Sequence, residues 1–332
     1  MKKWAALTGV MLVFLLCASP AQAQKEKLAQ AGFQFLKIGL SARAEAMAGA
    51  YSMVGDDADA MFYNPAGLSR MDARFQVTAH YVPWIADIAF TAFGAAYKSD
   101  YGTFALDFAS VNYGDIIGTQ VAATEQGYSE TGNVDVGSYY TGFAYARKLT
   151  DKFTIGGQLK YVSEHLGSSL ISPTGTATQT VENRASAVNV AFGTIYYTGL
   201  KSLQVGIYIR NFSPEAEYQK TGFQAPLTFD IGVALDLMDL YPGEQPSQSL
   251  VLALDAVHPR DFSERVNLGV EYWFQDMLAL RCGYKFNHDM EGFTAGIGVK
   301  QKIGQTGIRV DYCFSRNDYF NNVNRFSLGV SF

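Results

Sequence analysis

From Phe75 to the C-terminus the chain alternates between apolar and polar side chains, and this two-residue period is the strongest constraint on its fold. In "GFTAGIGVK", Phe293, Ala295, Ile297 and Val299 share one phase, with Thr294, Gly296, Gly298 and Lys300 on the other. In "PLTFDIGVALDL", Leu227, Phe229, Ile231, Val233 and Leu235 oppose Thr228, Asp230, Gly232, Ala234 and Asp236. Successive side chains of a strand point to opposite faces. One face is therefore continuously apolar, and the other carries glycine, hydroxyl and charge. Fourteen such segments can be read, give or take two: 75–82, 88–98, 102–112, 139–149, 153–165, 185–198, 203–212, 226–238, 249–258, 266–274, 277–286, 292–302, 307–316 and 325–332. Most have the roughly 9–11 residues that a tilted strand needs to cross a bilayer, and the even count suits a closed bacterial barrel. Segments 88–98 and 139–149 alternate poorly.

The connections follow a rhythm of their own. "SDY", "TDK", "GLKS", "QD" and "IGQT" are short, whereas residues 113–138, 166–184 and 213–225 are long. "DLYPGEQPSQ" is the exception. Outer-membrane barrels pair short periplasmic turns with long external loops, so both ends of the barrel are expected in the periplasm. Composition agrees: charged residues are 17% of the chain, below the roughly 25% of soluble domains, and aromatics reach 14%.

Lys2 and Lys3, the apolar stretch Ala5 to Ala18 and the Ala21-Gln22-Ala23 site read as a secretory signal peptide cleaved near Ala23. A lipoprotein signal at Cys17 is excluded, because Phe14, Leu15 and Leu16 lack the small residue needed before it. Beyond residue 23 no apolar run approaches the roughly 18 residues of a membrane helix. Loss of Lys2 and Lys3 moves the formal charge from −5 to −7, a poor match for nucleic acid. Cys282 and Cys313 fall in opposite strand phases, which argues against a disulfide. The expected organisation is a signal peptide over 1–23, an N-terminal plug or hatch over 24–72 and an all-β barrel over 73–332.

The polar phase carries both signs of charge: Lys160, Arg210, Asp230, Asp236, Asp255, Glu271, Arg281, Lys285, Lys300, Arg309, Asp311 and Arg325. A basic residue facing lipid near the midplane costs about 2–4 kcal/mol, so these groups must line the lumen. Cross-strand ion pairs that lock the wall and anchor a plug are the favoured reading, ahead of an ion pathway. Catalysis finds no support. His80, His165, His258 and His288 stand in no nucleophile-base pattern, and no phosphate-cradling loop is present.

Residues 24–72 differ in kind, being rich in small residues (Ala42, Ala44, Ala46, Ala48, Gly49, Ala50) that permit close packing. Asp56 or Asp57 can cap a short helix over 58–63. Asn64 before Pro65 disfavours its continuation, and Gly67 is expected to supply a turn. A metal loop would want oxygen donors at alternate positions and a distal Glu, so neither metal nor cofactor is expected. Arg43 is the chosen charge anchor to a wall carboxylate, its partner unnamed. The chain ends "NRFSLGVSF", with Phe326, Leu328, Val330 and terminal Phe332 in one phase. This serves as closing strand and resembles the signal read by barrel-assembly machinery.

"GFQFLKIGLSARAEAMAGAYSMVGDDADAMFYNPAGL" resembles the N-terminal signature of the PorV/PorQ family, within the FadL-like class of outer-membrane barrels. Ser41-Ala42-Arg43-Ala44, Met47-Ala48-Gly49-Ala50, Asp56-Asp57-Ala58 and Asn64-Pro65-Ala66-Gly67-Leu68 carry the likeness, with Ala48 where glycine is usual. The resemblance implies a fourteen-stranded barrel whose N-terminal segment folds into the lumen as a hatch. It implies either of two functions. PorV/PorQ-like relatives serve type IX secretion, receiving cargo with a C-terminal signal domain or assisting there. FadL-like relatives take up fatty acids or aromatic hydrocarbons through a hydrophobic site and a lateral opening. A secretion accessory or cargo shuttle is favoured, with secretion components as partners, because a lipid carrier needs an apolar pocket and the inward phase is mostly polar. A hydrophobic-molecule transporter is the alternative, and a structural or adhesive barrel a third.

Overall fold

The computed structural model describes residues 31–171, 179–218, 221–240 and 247–332; the expected signal peptide lies outside them. The wall begins with β1 (Phe75–Pro83), β2 (Ala89–Ser99) and β3 (Gly102–Asn112). A small hairpin, β4 (Ile117–Val121) and β5 (Tyr128–Asn133), precedes β6 (Val136–Thr150), β7 (Phe153–Ile171), β8 (Gln179–Tyr197) and β9 (Gln204–Phe212). A second hairpin, β10 (Ala216–Tyr218) and β11 (Thr221–Phe223), precedes β12 (Thr228–Asp236), β13 (Gln248–Pro259) and β14 (Arg265–Phe274). The last strands are β15 (Leu278–Phe286), β16 (Glu291–Ile303), β17 (Thr306–Asn317) and β18 (Val323–Ser331). The two hairpins stand apart, and the other fourteen strands form one closed antiparallel barrel in which β1 pairs with β18. Every one of the fourteen alternating segments is a wall strand.

The barrel closes where Gln76–Tyr81 of β1 pair with Phe326–Ser331 of β18, and the chain's last residue extends that seam. Phe332 exchanges backbone hydrogen bonds with Phe75 and accepts another from Arg74, and the two phenyl rings stack at 6.1 Å. Strand burial is inverted relative to a soluble protein. In β12, Thr228, Asp230 and Gly232 are buried and Ile231 is exposed; in β16, Thr294 and Gly298 are buried while Phe293, Ile297 and Val299 are exposed. Outward apolar side chains meet the membrane, and inward polar ones find protein.

Residues 31–72 form short turns: a 3-10 turn Gln34–Lys37, an α-helix Ala42–Ala46, and 3-10 turns Ala58–Phe62 and Pro65–Arg70. They pack on the inward face of strands around the barrel, and most are buried. The lumen they meet is two-sided. Phe62, Met61, Leu68 and Met71 join an apolar core with Phe90, Ala92, Ala109, Tyr140 and Val162, on β2, β3, β6 and β7. Charge is concentrated on the opposite side, from β9 to β18. This division explains the poor alternation of segments 88–98 and 139–149, whose inward residues (Phe90, Ala92, Gly94, Ala96; Tyr140, Gly142, Ala144, Ala146) are apolar or small like their outward ones.

Strand bounds differ where strands run past the membrane. The expected loop 166–184 is largely β7 and β8 extended as a hairpin, with 172–178 outside the described residues. Its sequence sustains no apolar phase, with Leu166 and Val181 isolated among serine, threonine and charge, so periodicity had little to reveal. Hydrogen bonding continues in water without an apolar face.

Inward wall glycines mark where the segment sits. A Cβ at Gly156 would lie 2.3 Å from the Ala66 nitrogen, one at Gly193 1.9 Å from Asn64 Oδ1, one at Gly232 2.1 Å from Ser52 Oγ, and one at Gly296 2.5 Å from the Ala46 Cβ. The approach at Gly156 is to backbone, which cannot swing aside as a side chain can, so no Cβ fits there without a shift of the segment. Gly156→Val is therefore expected to leave the barrel assembled but the segment unseated. Limited proteolysis should then cut within residues 31–72 while the folded barrel keeps its heat-modifiable gel mobility; a protease-resistant segment in the variant would refute this packing.

Candidate functional site

The densest polar construction in the described residues joins the 31–72 segment to the wall, and it is built on Arg43. This arginine lies in the small-residue helix Ala42–Ala46, whose alanines let it approach β15 to β18 closely. Nε and Nη2 donate to the two carboxylate oxygens of Glu271 on β14, at 2.9 and 2.8 Å. Nη1 donates to Asp56 and Asp57, at 2.6 and 2.7 Å. A planar fork suits this bidentate geometry, which a lysine could not reproduce.

The wall supplies the rest of the hub. Glu271 stands opposite Arg281 in the β14–β15 register, and Arg281 donates to it at 2.6 Å and to Asp311 on β17 at 2.8 Å. Arg281 reaches Asp311 across β16 because Gly298 lies between them; a Cβ there would fall 2.4 Å from Asp311 and 2.6 Å from Arg281. Arg309 closes the ring, contacting Asp311 at 2.7 Å, pairing with Asp57 and donating to Asp59 at 2.9 Å. Asp59 also accepts from Ser41 at 2.6 Å and Thr78 at 2.7 Å, and lies 3.4 Å from His80. Burial would raise the Asp59 carboxyl, but Arg309 and His80 outweigh it and hold it well below the usual carboxylate range.

A second cluster lies on the same side. Lys285 donates to Glu45 at 3.0 Å and pairs with Glu291; Arg325, fully buried, lies 3.8 Å from Glu45 and donates to Ser315 at 2.7 Å and to the Gly39 carbonyl at 3.0 Å. Burial opposes charge on Glu45, and Lys285 with Arg325 reverse it, so this carboxyl too is lowered. Asp255 on β13 accepts from the Tyr51 and Ser52 nitrogens and from Ser52 Oγ, at 3.1, 3.0 and 2.7 Å.

The Asp-Asp and Asn-Pro motifs shape backbone as well. Asp57 caps the turn Ala58–Phe62 by accepting from the Asp59 nitrogen, so the helix expected over 58–63 is a 3-10 turn. Asn64 caps the next turn, accepting from the Ala66 nitrogen at 3.0 Å, with Pro65 as its first residue. Gly49 sits at φ 75° and Ala48 at φ 57°, the left-handed region that explains why glycine is usual at the latter. Gly67 is not a left-handed turn residue. It is held by space, since a Cβ would meet the Gly55 carbonyl at 2.4 Å.

Asn64 also repairs the wall. Between β8 and β9 the ladder pairs Gly193 with Tyr208 and Tyr196 with Val205, but the two steps between are unpaired, and a bulge lies just beyond at Val190/Phe192. There the Ile207 nitrogen donates to Thr194 Oγ1 at 3.3 Å, and the Thr194 carbonyl accepts from Asn64 Nδ2 at 3.4 Å, which also donates to Ser52 O at 3.0 Å.

Of the remaining lumen charges, Arg210 lies 3.7 Å from Asp230, and Lys160 is buried with its ammonium 4.7 Å from the Tyr140 ring. Lys300 is solvent-exposed, outside the hub. It lines a polar vestibule of about 550 Å³ at the short-turn end, with Asp56, Asp72, Trp273, Asp276 and Lys302. Phe326 and Leu328 are exposed on the outer face. Sequence reasoning missed the roles of Glu45, Asp59, His80 and Ser327, the last accepting from the Ala42 nitrogen at 2.8 Å and lying 2.7 Å from His80 Nδ1. The Arg-Ala-Glu spacing of Arg43 and Glu45 and the repeat of Asp56, Asp57 and Asp59 were the only signals available.

Residues 60–332 match the family model described as type IX secretion system membrane protein PorP/SprF. Among solved structures the fold is similar to the Pseudomonas putida toluene transporter TodX, at 13% identity and TM-score 0.57, covering 88% of this chain and 97% of that one. It is also similar to the CymD monoaromatic hydrocarbon channel (12%, 0.56, 89% and 98%) and a Pseudomonas aeruginosa FadL homologue (11%, 0.52, 89% and 98%). No curated protein matches the chain.

Removing one partner of a buried ion pair costs about 3–5 kcal/mol, and Arg43→Met is expected to lose about that much in denaturant unfolding of the micelle-bound protein. Trp273, 6.0 Å from Arg43 and 5.4 Å from Arg281, should report the change in its fluorescence; a variant with unchanged midpoint would show the hub to be dispensable. For Asn64→Ala, amide exchange at Ile195 and Ile207 should rise while the β2–β3 ladder stays protected. Equal rates in variant and parent would remove Asn64 from that role.

Proposed function

Because the chain belongs to the PorP/SprF family of type IX secretion system membrane proteins, we propose that it is a plugged outer-membrane barrel acting without catalysis as an accessory or cargo shuttle in protein secretion to the cell surface. The observation that carries this reading is the filled, charged lumen. Residues 31–72 touch the wall on both its apolar and its charged side; the larger inner cavities are the vestibule already described and one of about 90 Å³ beside Lys37, Arg210, Asp230 and Lys285, whereas the space among Phe35, Ile38, Leu40, Phe62 and Phe90 is only about 20 Å³. A carrier of hydrophobic molecules needs an apolar pocket instead.

The segment then acts as the plug, with Arg43, Asp56, Asp57 and Asn64 as its fasteners. The finer resemblance to PorV/PorQ rests on residues 32–68, of which only 60–68 fall within the matched region. It adds to the proposal only what both families share, service to type IX secretion. Secretion components and cargo bearing a C-terminal signal domain are the partners this reading requires.

A second reading has one observation in its favour. A groove of about 470 Å³ on the outer face, lined by Val77, Phe93, Leu106, Phe108 and Leu328, reaches the inward residues Gly94 and Asp107. The neighbours in fold include proteins described as hydrocarbon channels. Transport of small hydrophobic molecules would use such a groove.

Deleting the gene separates the two. Secretion predicts loss of specific proteins from the surface proteome with normal uptake of labelled fatty acid and toluene. Intact surface delivery alongside lost uptake would sink the first reading in favour of the second.

A further inference from the structure

The connection from β3 to β6 carries a sheet edge with no neighbouring strand. It lies at the long-loop end, and its root is tied down. The Tyr113 hydroxyl meets Ser138 Oγ at 2.8 Å, the Val134 nitrogen donates to the Ile116 carbonyl at 2.7 Å, and Asn133 donates to Asp115 at 3.0 Å. Above the root, β4 and β5 form a sheet of two strands only. Gln120 donates to Ser129 and Thr124 to the Tyr128 carbonyl, both within the hairpin.

The two outer edges of this hairpin are not alike. In an antiparallel ladder, hydrogen-bonded pairs alternate with non-bonded ones. Rungs close at the Ile116 carbonyl and at the Ala122 nitrogen, which donates to the Gly127 carbonyl, so Ile117, Thr119 and Val121 turn their backbone N–H and C=O away from β5. Natural edges are blunted by a bulge, a proline or a lysine. On β5, Gly118 pairs with Gly132 and Thr119 with Glu130, which leaves Thr131 as a bulge. The β4 edge, Ile117-Gly118-Thr119-Gln120-Val121, has none of these devices. One face above it is apolar. Ile117 and Val121 share a phase, Tyr128 stands opposite Val121, and all three are exposed, Val121 to 96%.

We infer that β4 is a docking edge for an extended segment of another protein at the cell surface, which adds to the hairpin as a third strand. Charge states what that segment carries. Residues 113–134 include Asp115, Glu125 and Glu130 and no lysine or arginine, so the guest has basic side chains flanking alternate apolar ones. The apolar ones cover Ile117, Val121 and Tyr128. An anionic lipid surface is repelled by the same acids, and so is a second copy, which would set one acidic hairpin beside another. A two-stranded hairpin is marginally stable in water, and a third strand completes it. The inference needs only that the long connections face outward, and it holds whether the barrel serves secretion or uptake.

The test is fluorescence anisotropy with the purified full-length protein in detergent and a labelled peptide of alternating valine and threonine between paired lysines. Saturable binding is expected. Thr119→Pro removes an outward N–H while leaving the rungs on either side, and should weaken binding about tenfold, as should N-methylation of the peptide backbone tested on the unaltered protein. Asp115→Asn, Glu125→Gln and Glu130→Gln together should weaken it several-fold and flatten its salt dependence. A peptide with glutamates in place of the lysines should not bind. Heat-modifiable gel mobility checks that each variant keeps its barrel. The inference is overturned if the basic peptide fails to bind, if Thr119→Pro or N-methylation leaves its affinity unchanged, or if the glutamate peptide binds as tightly. Sedimentation showing the parent as a dimer and Thr119→Pro as a monomer would make the occupant a second copy, and would overturn it too.

Discussion

A charge on a membrane strand has nowhere to go but inward, and the demand that each such charge find a partner there organises this molecule. The wall cannot satisfy the demand alone. Glu271 receives Arg281 from its neighbour, yet its second oxygen is taken by Arg43 from the internal segment. Arg309 likewise turns to Asp57 and Asp59 as well as Asp311. Partial satisfaction of a buried ionic network is worse than none, so the segment is an electrical component of the barrel as much as a filling.

Close approach makes that pairing possible. Glycine at wall positions 156, 193, 232 and 296 lets backbone and small side chains of the segment come within contact of the sheet, and Gly298 lets Arg281 see Asp311 across an intervening strand. The Thr194 carbonyl, withdrawn from the β8–β9 ladder, is taken by Asn64. Wall and segment are therefore complementary in three currencies: shape, charge and backbone hydrogen bonds. A barrel filled in this way is poorly suited to free passage of apolar solutes, which is the physical basis for preferring the secretion role.

Much of this was legible beforehand, and the reason is periodicity. Where one face met lipid and the other met polar protein, as in 226–238 and 292–302, alternation located the strand within about two residues. It blurred at 88–98 and 139–149 because Phe90, Ala92 and Tyr140 face an apolar patch of the segment. It vanished in 166–184 because no apolar phase is sustained along that stretch. Arg43 could be singled out as the one arginine in a stretch of alanines, but nothing along the chain tied it to Glu271, since that pairing spans 228 residues of sequence. The meeting of Asp59, His80 and Ser327 was hidden for the same reason. Their meeting depends on β1 and β18 being neighbours at closure.

Taken alone, the sequence determined that the chain forms an even-numbered amphipathic barrel, which residues face lipid, and that residues 24–72 are of a different kind. These properties are local: a period of two, a proline after an asparagine, small residues in a run. Tertiary structure decided the rest: which carboxylates share Arg43, and why Gly67 and Gly156 must lack a Cβ. Those depend on side chains brought together by closing a sheet of fourteen strands around a threaded chain, and closure is a property of the whole that no window of sequence contains.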